Sequence, residues 1–304
     1  MGDAAGEYWR GRAGSPRSKG VLATPLDGPG VAIREGAAAA QAADASAPVR
    51  LTRLAPSHEA SQIIRHFWIP RWDLPPGVVV EQPVLDYPSA NLVIEPDAAG
   101  VHGPERARSS RSLSGSSWAF GVLLQAGVVR ALVAGDVRRI IGSAIPLHGL
   151  AVPGGEALAA TVRDLAAAGD DGSAVTVVED WLLETVPTLD AGARQIRHVV
   201  DLVEADRDIL RADQLARRAG LTLRTLQRLV REQLGLTPKW LIQRYRMQEA
   251  AYALTDPDAP ALARLAADLG FADQAHFSRD FRAIIGETPR AYAERAAAGS
   301  RESR

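Results

Sequence analysis

The chain has no cysteine among its 304 residues. That excludes a disulfide framework, a thiolate metal site, a cysteine nucleophile and thiol-based alkyl transfer, and it accords with a reducing compartment. Net charge is equally scarce. Lys and Arg total 35 against 36 Asp and Glu, so the chain as a whole recruits neither nucleic acid nor a membrane surface, and any basic face has to be local. Long hydrophobic runs are missing too: a membrane helix takes about 18 apolar residues in succession, and the alanine tract Ala37 to Ala40 is too weakly apolar for a secretory core segment. A soluble cytoplasmic protein is expected. His58, His66, His102 and His148 are dispersed and form no His-x-His or His-Glu-x-x-His motif. Asp73, Glu81, Asp86 and Glu95 show no spacing that pairs an acid with a base, and no glycine-rich phosphate loop is present. No catalytic residue, metal or cofactor is assigned.

What is present suffices for two domains, since 46% hydrophobic content over this length exceeds the needs of one small module. Residues 1–48 are rich in Gly, Ala, Pro and Ser, sustain no period and balance five basic residues against five acidic ones; they are expected to be disordered. Residues 49–153 carry short apolar runs punctuated by Pro and Gly, among them His66-Phe67-Trp68-Ile69, Val78-Val79-Val80 and Asn91-Leu92-Val93-Ile94. This pattern predicts a β-rich domain, with Trp68, Trp72 and Trp118 filling its core. Pro75-Pro76-Gly77 is predicted to turn a hairpin, and residues 102–117 to form a loop that leads into a strand over about 117–125. Helices are expected over Glu156–Ala168 and Ala174–Thr185, making residues 154–188 a helical connector. A helix starting near Ala191 then places Ile196, Val199, Val200 and Val203 on one stripe. From there to Glu294 the chain reads as helix, so that residues 189–298 make one domain, with a disordered tail over 299–304. The fold class is therefore α+β: a β-rich N-terminal domain, then helices, then an all-α C-terminal domain.

Within the helical half, Leu215-Ala216-Arg217-Arg218-Ala219-Gly220-Leu221 recurs fifty residues later as Leu265-Ala266-Ala267-Asp268-Leu269-Gly270-Phe271. Gly235-Leu236-Thr237-Pro238 is likewise answered by Gly286-Glu287-Thr288-Pro289, and the second copy carries one extra residue in its turn. Two helix-turn-helix units, over about 211–235 and 261–286, explain the pattern. The small Ala216 and Ala266 let paired helices approach, Gly220 and Gly270 end the first helix of each pair in the left-handed conformation, and Thr222 and Asp273 cap the second.

With Leu226, Leu229 and Val230 facing inward, Arg224, Thr225, Gln227, Arg228 and Arg231 fall on the outer side of the first unit's second helix. With Phe277 and Phe281 inward, Gln274, Ala275, Ser278 and Arg279 face outward in the second unit, and His276 lies on the flank. Arg and Gln are the side chains that grip guanine and adenine edges with two hydrogen bonds. Arg224, Thr225, Gln227, Arg228, Arg231, Gln274, His276 and Arg279 are therefore the candidate DNA-binding residues. Residues 222–246 hold Arg224, Arg228, Arg231, Lys239, Arg244 and Arg246 against Glu232 alone, whereas in residues 272–290 three arginines meet three acids. The first unit is expected to supply more of the phosphate attraction.

Residues 270–282 (GFADQAHFSRDFR), followed by Gly286-Glu287-Thr288-Pro289-Arg290-Ala291-Tyr292, resemble the signature of the AraC/XylS family of bacterial transcription regulators, and Leu223 to Ala250 resembles the corresponding part of its first unit. The chain departs from the family at Leu241, where an aromatic residue is usual, and at the outward Ala275. The resemblance implies that a helix from about Pro238 to Leu254 holds two recognition helices for successive major grooves on one face of the duplex, one helical turn of about 34 Å apart. The N-terminal half resembles an uncharacterised domain found before such regions, which implies a cupin-like or related β-rich sensor. On this reading the chain is a sequence-specific DNA-binding regulator. Its candidate partners are double-stranded DNA at a promoter operator, an unidentified small-molecule effector, RNA polymerase and a second copy of the chain, with no membrane. The competing readings are a generic helical scaffold, a metal-dependent cupin-like enzyme tethered to a DNA-binding domain, and an architectural DNA-binding protein without effector.

Overall fold

The computed structural model describes residues 31–35, 49–84, 86–105, 109–133, 135–256 and 259–302. The remainder of the segment expected to be disordered, and the last two residues of the tail, lie outside these.

The β-rich half contains β1 (Val31–Glu35), β2 (Val49–Leu54), β3 (Ile64–Asp73), β4 (Val79–Val84), β5 (Asn91–Ile94), β6 (Ala99–His102), β7 (Ser109–Ser114), β8 (Ser116–Trp118), β9 (Phe120–Leu124) and β10 (Ala144–Pro146), with helices α1 (Val129–Leu132), α2 (Gly155–Ala167) and α3 (Asp171–Thr185). The main sheet runs β1-β2-β3-β9-β5-β6-β10, with β8 also paired to β3, and β4 and β7 form a separate ribbon. β9 is central and buried along its whole length. Alternation along a strand explains how: Phe120, Val122 and Leu124 point to one side, into a core shared with α1, α2 and α3, while Leu123 points to the other.

Four expectations are corrected, the first in the tail, where residues 299–302, expected to be disordered, continue the last helix, Pro289–Glu302. Pro75-Pro76-Gly77 does form a turn, with Gly77 at φ +81° and the Val78 amide bonded to the Pro75 carbonyl at 3.0 Å, yet the strands it joins do not pair; β4 pairs with β7 instead. The expected loop over 102–117 accordingly contains β7 and β8. β7 reads Ser-Ser-Arg-Ser-Leu-Ser, which offers no apolar alternation, and its partner is fixed by the backbone ladder and by Ser110 and Ser112, whose hydroxyls donate to the Glu81 carboxylate. Within the expected disordered segment, Val31–Glu35 forms a strand in parallel register with β2. The predicted connector helices pack on the sheet: Leu158, Ala159, Val162, Ala174, Val178 and Leu182 are buried against it, and Arg71 ties the turn between them to β3 through the Ala166 carbonyl (2.8 Å) and Asp171 (2.6 Å).

The all-α half comprises α4 (Ala191–Ala205), α5 (Ala212–Arg218), α6 (Leu223–Leu234), α7 (Pro238–Ala253), α8 (Leu262–Asp268), α9 (Gln274–Ile285) and α10 (Pro289–Glu302). It has two cores. In the first, Ile196, Val199, Val200 and Val203 of α4 meet Leu215, Leu226 and Val230 of α5 and α6, together with Leu241, Ile242 and Tyr245 from the first half of α7. In the second, Met247, Ala250 and Ala251 from the rest of α7 meet Leu265, Phe277, Phe281, Ile285 and Tyr292. α7 is buried on nearly all sides because it serves both.

The first core also contains Tyr87, Leu123 and Ala126 of the β-rich half, so the second face of the sheet is closed by the first helical unit. Arg65 of β3 reaches Glu204 of α4, its Nη2 donating to both carboxylate oxygens at 2.6 Å, and its guanidinium lies 4.9 Å from the Tyr87 ring centre. Trp68 lies over Gly121, where a Cβ would fall 2.0 Å from the indole ring; its Nε1 donates to Asn91 at 3.0 Å.

Candidate nucleic-acid interface

The two helical units are built by the same local rules. α5 ends at Gly220, at φ +66°, and α8 ends at Gly270, at φ +78°. In each the glycine amide and the next amide fold back on the helix, Gly220 to Arg217 (3.2 Å) and Leu221 to Ala216 (2.9 Å), then Gly270 to Ala267 (3.0 Å) and Phe271 to Ala266 (2.9 Å). This paired closure satisfies carbonyls that the helix end would leave open. The second helices are capped alike, with Thr222 accepting from the Thr225 amide at 3.1 Å and Asp273 accepting from the His276 amide at 2.7 Å. Both then end at a left-handed glycine, Gly235 or Gly286. Thr237 and Thr288 cap the helices that follow, each accepting at 3.2 Å from an amide three residues on.

The caps fix which faces are free. On α6, Leu226, Leu229 and Val230 are buried, while Arg224, Gln227, Arg228 and Arg231 are exposed and Thr225 is half-buried beside its cap. Arg228 makes an exposed ion pair with Glu232, one turn on, at 3.3 Å; such a pair is weak and exchangeable for a phosphate or base. On α9, Phe277, Phe281 and Ile285 are buried and Gln274 and Arg279 are exposed. His276 is held on the flank, edge-on to Phe271 with ring centres 5.2 Å apart and 3.6 Å from Asp280. Asp280 in turn accepts from Gln243 of α7 at 3.2 Å, so His276 is braced against the body of its unit.

Two of the six cations counted for the first unit are not on its surface. Arg244 and Arg246 are 1% and 2% exposed. Arg246 pairs with Glu249 and donates to the carbonyls of Val203 (2.9 Å) and Asp206 (3.0 Å) at the end of α4. Arg244 stacks on Trp240 and donates to the Glu105 carbonyl at 2.5 Å; burial pulls its pKa down to about 10 against the opposing pull of Asp86 and Glu105. Of the six, the outward charge rests on Arg224, Arg228, Arg231 and Lys239. The pair is interior because α7 serves two cores, a tertiary circumstance that its own periodicity does not announce.

Residues 215–295 match a family described as a helix-turn-helix domain, and residues 52–146 match a domain of unknown function, DUF6597. The HTH-type transcriptional activator RhaS of Escherichia fergusonii is 38% identical over 78 residues, which are 26% of this chain and 28% of that one; RhaS of Escherichia coli is 37% identical over the same length. The chain thus spans little more than a quarter of these curated relatives. Among solved structures, a transcriptional regulator with an AraC-type DNA-binding domain from Chromobacterium violaceum is 27% identical, covering 36% of this chain and 97% of that one at a TM-score of 0.32. An apo ToxT variant from Vibrio cholerae is 12% identical, covering 76% and 97% at a TM-score of 0.40. The C-terminal part of this chain is thus similar to the helix-turn-helix region of HTH-type transcriptional activators, and residues 52–146 are similar to a domain family of unknown function.

Proposed function

We propose that the chain is a transcription regulator that reads a promoter operator with α6 and α9 and is controlled through its β-rich domain. The observation that carries this reading is the pair of recognition helices, capped alike, joined by one shared helix and both free on the face that bears Arg224, Gln227, Arg228, Arg231, Gln274 and Arg279. Arginine and glutamine on an exposed helix face suit base edges in the major groove. Control by a small effector or partner is supported by the direct contact of the sheet with the first unit: a ligand with different affinity for two placements of the sheet would alter the setting of α6. The protein would act in the cytoplasm, where it meets DNA.

Arg228→Ala and Arg279→Ala should each weaken binding to a selected duplex by about 1 to 3 kcal/mol and relax the base preference at one position. Fluorescence anisotropy against duplexes recovered from a random pool measures both. Unchanged affinity and an unchanged recovered sequence in both variants would refute base reading by these helices.

A further inference from the structure

The short helical turn Val137–Ile140 of the β-rich domain is seated against the C-terminal end of α6. Gly235, the left-handed residue that closes α6, comes so near it that a Cβ there would lie 3.0 Å from Arg138 Cα and 3.1 Å from Ile141 Cγ1. The turn is held from both sides, with Val137 and Ile140 buried in the sheet's core and Ile141 packed on the core of the first helical unit. Its two remaining side chains, Arg138 and Arg139, are exposed. On α6, Arg224, Arg228 and Arg231 precede Gly235 by eleven, seven and four residues, spacings that at about 3.6 residues per turn place them on one stripe running toward that cap. Lys239 is exposed in the first turn of α7, just past the same bend.

We propose that Arg138 and Arg139 contact DNA phosphates, so that the β-rich domain forms part of the DNA interface and does not only control it. A helix lying in the major groove brings its ends toward the two backbones that border the groove, and residues beside such an end meet phosphates, which fix register without reading sequence. Asp136 does not cancel the cluster: it caps the turn, accepting from the Arg138 amide at 2.9 Å and from Arg138 Nε at 2.6 Å, which orients the guanidinium while Arg139, Arg231 and Lys239 keep the surroundings basic. The arrangement also gives control a physical route. A shift of the sheet relative to α6 would move two phosphate contacts together with the recognition helix.

This inference rests on the proposed DNA-reading role, and its test separates the two. The full chain and its Arg138→Ala/Arg139→Ala and Arg138→Lys/Arg139→Lys variants are titrated with a fluorescent duplex recovered by the full chain from a random-sequence pool, and with a scrambled duplex of equal length, over a series of salt concentrations. In the alanine variant the slope of log affinity against log salt should fall by about 0.9 for each arginine removed. Affinity should fall by a similar factor on both duplexes, and the lysine variant should restore it. An unchanged salt slope in the alanine variant, with Arg228→Ala still losing affinity for the recovered duplex, would overturn the inference and leave the DNA-reading role standing. A loss confined to the recovered duplex would overturn the phosphate assignment, because phosphate contacts are indifferent to sequence. Failure of the full chain to recover any duplex would overturn the DNA-reading role itself.

Discussion

At the scale of single residues, arginine carries several roles here, and neighbours decide between them. Arg224 and Arg246 both sit on long helices beside apolar residues, yet one faces solvent and the other is sealed among Glu249, Val203 and Asp206. The helical period of α6 makes Arg224 legible as an outward residue, because its inward positions are plainly apolar; α7 has no such polar face, so its arginines are placed by two cores at once. His66 shows the same dependence. It lies edge-on to Tyr87 with ring centres 6.3 Å apart, and burial, assisted by the charges of Arg53 and Arg65, pushes its pKa down to about 3. A histidine whose folded pKa lies below its unfolded value contributes its full stability above about pH 6.5, and that stability is lost as pH falls toward 3, because only the unfolded chain takes up the proton readily. Asp86 and Asp201, whose pKa values burial raises, act in the opposite sense, contributing stability at low pH that is lost as pH rises through their folded values. His66→Gln isolates the histidine's share: urea midpoints of the two proteins measured from pH 7 to pH 5 should fall more steeply for the parent chain. Parallel curves would show that His66 is not desolvated.

At the scale of elements, the turns of the two helical units look interchangeable in sequence and are not so in space. Gly220 has open space where a side chain would project, whereas a Cβ at Gly270 would meet Leu210 Cδ1 at 2.7 Å. Both glycines have positive φ, so alanine at either costs the left-handed strain of roughly 1 to 2 kcal/mol. At Gly270 the overlap with Leu210 adds about 1 to 3 kcal/mol of overpacking. Gly270→Ala should therefore lower the unfolding free energy more than Gly220→Ala in chemical denaturation, and equal losses would mean that Leu210 yields freely. The repeat, its glycines and its caps were legible because they depend on local backbone chemistry that residue identity dictates. The pairing of β4 with β7 was not, since a strand built of serines carries no pattern that names its partner, and chain proximity across Gly77 pointed to the wrong one.

At the scale of the molecule, the boundary between the two halves falls differently from the change in secondary structure. α2 and α3 belong to the β-rich half, and the first helical unit lends its core to the sheet through Tyr87, Leu123 and Ala126, while among the described residues the core of the second unit contains none from the β-rich half. Removing residues 1–186 should consequently weaken one unit and spare the other. In native-state hydrogen exchange, amides of α6 should exchange faster in the truncated chain than in the full one, and amides of α9 at similar rates. Equal protection of α6 in both chains would show that contact with the sheet contributes nothing to its stability.

The sequence by itself determined the two-part α+β architecture, the tandem helix-turn-helix units, their caps and the outward faces of α6 and α9, because each follows from local periodicity, glycine conformation or hydrogen bonding within a few residues. The tertiary structure alone decided that the sheet closes over the first unit, that Arg244 and Arg246 are interior, and that Arg138 lies at the end of α6. Those placements join residues tens to more than a hundred positions apart, and only the packing of two apolar faces against each other selects them.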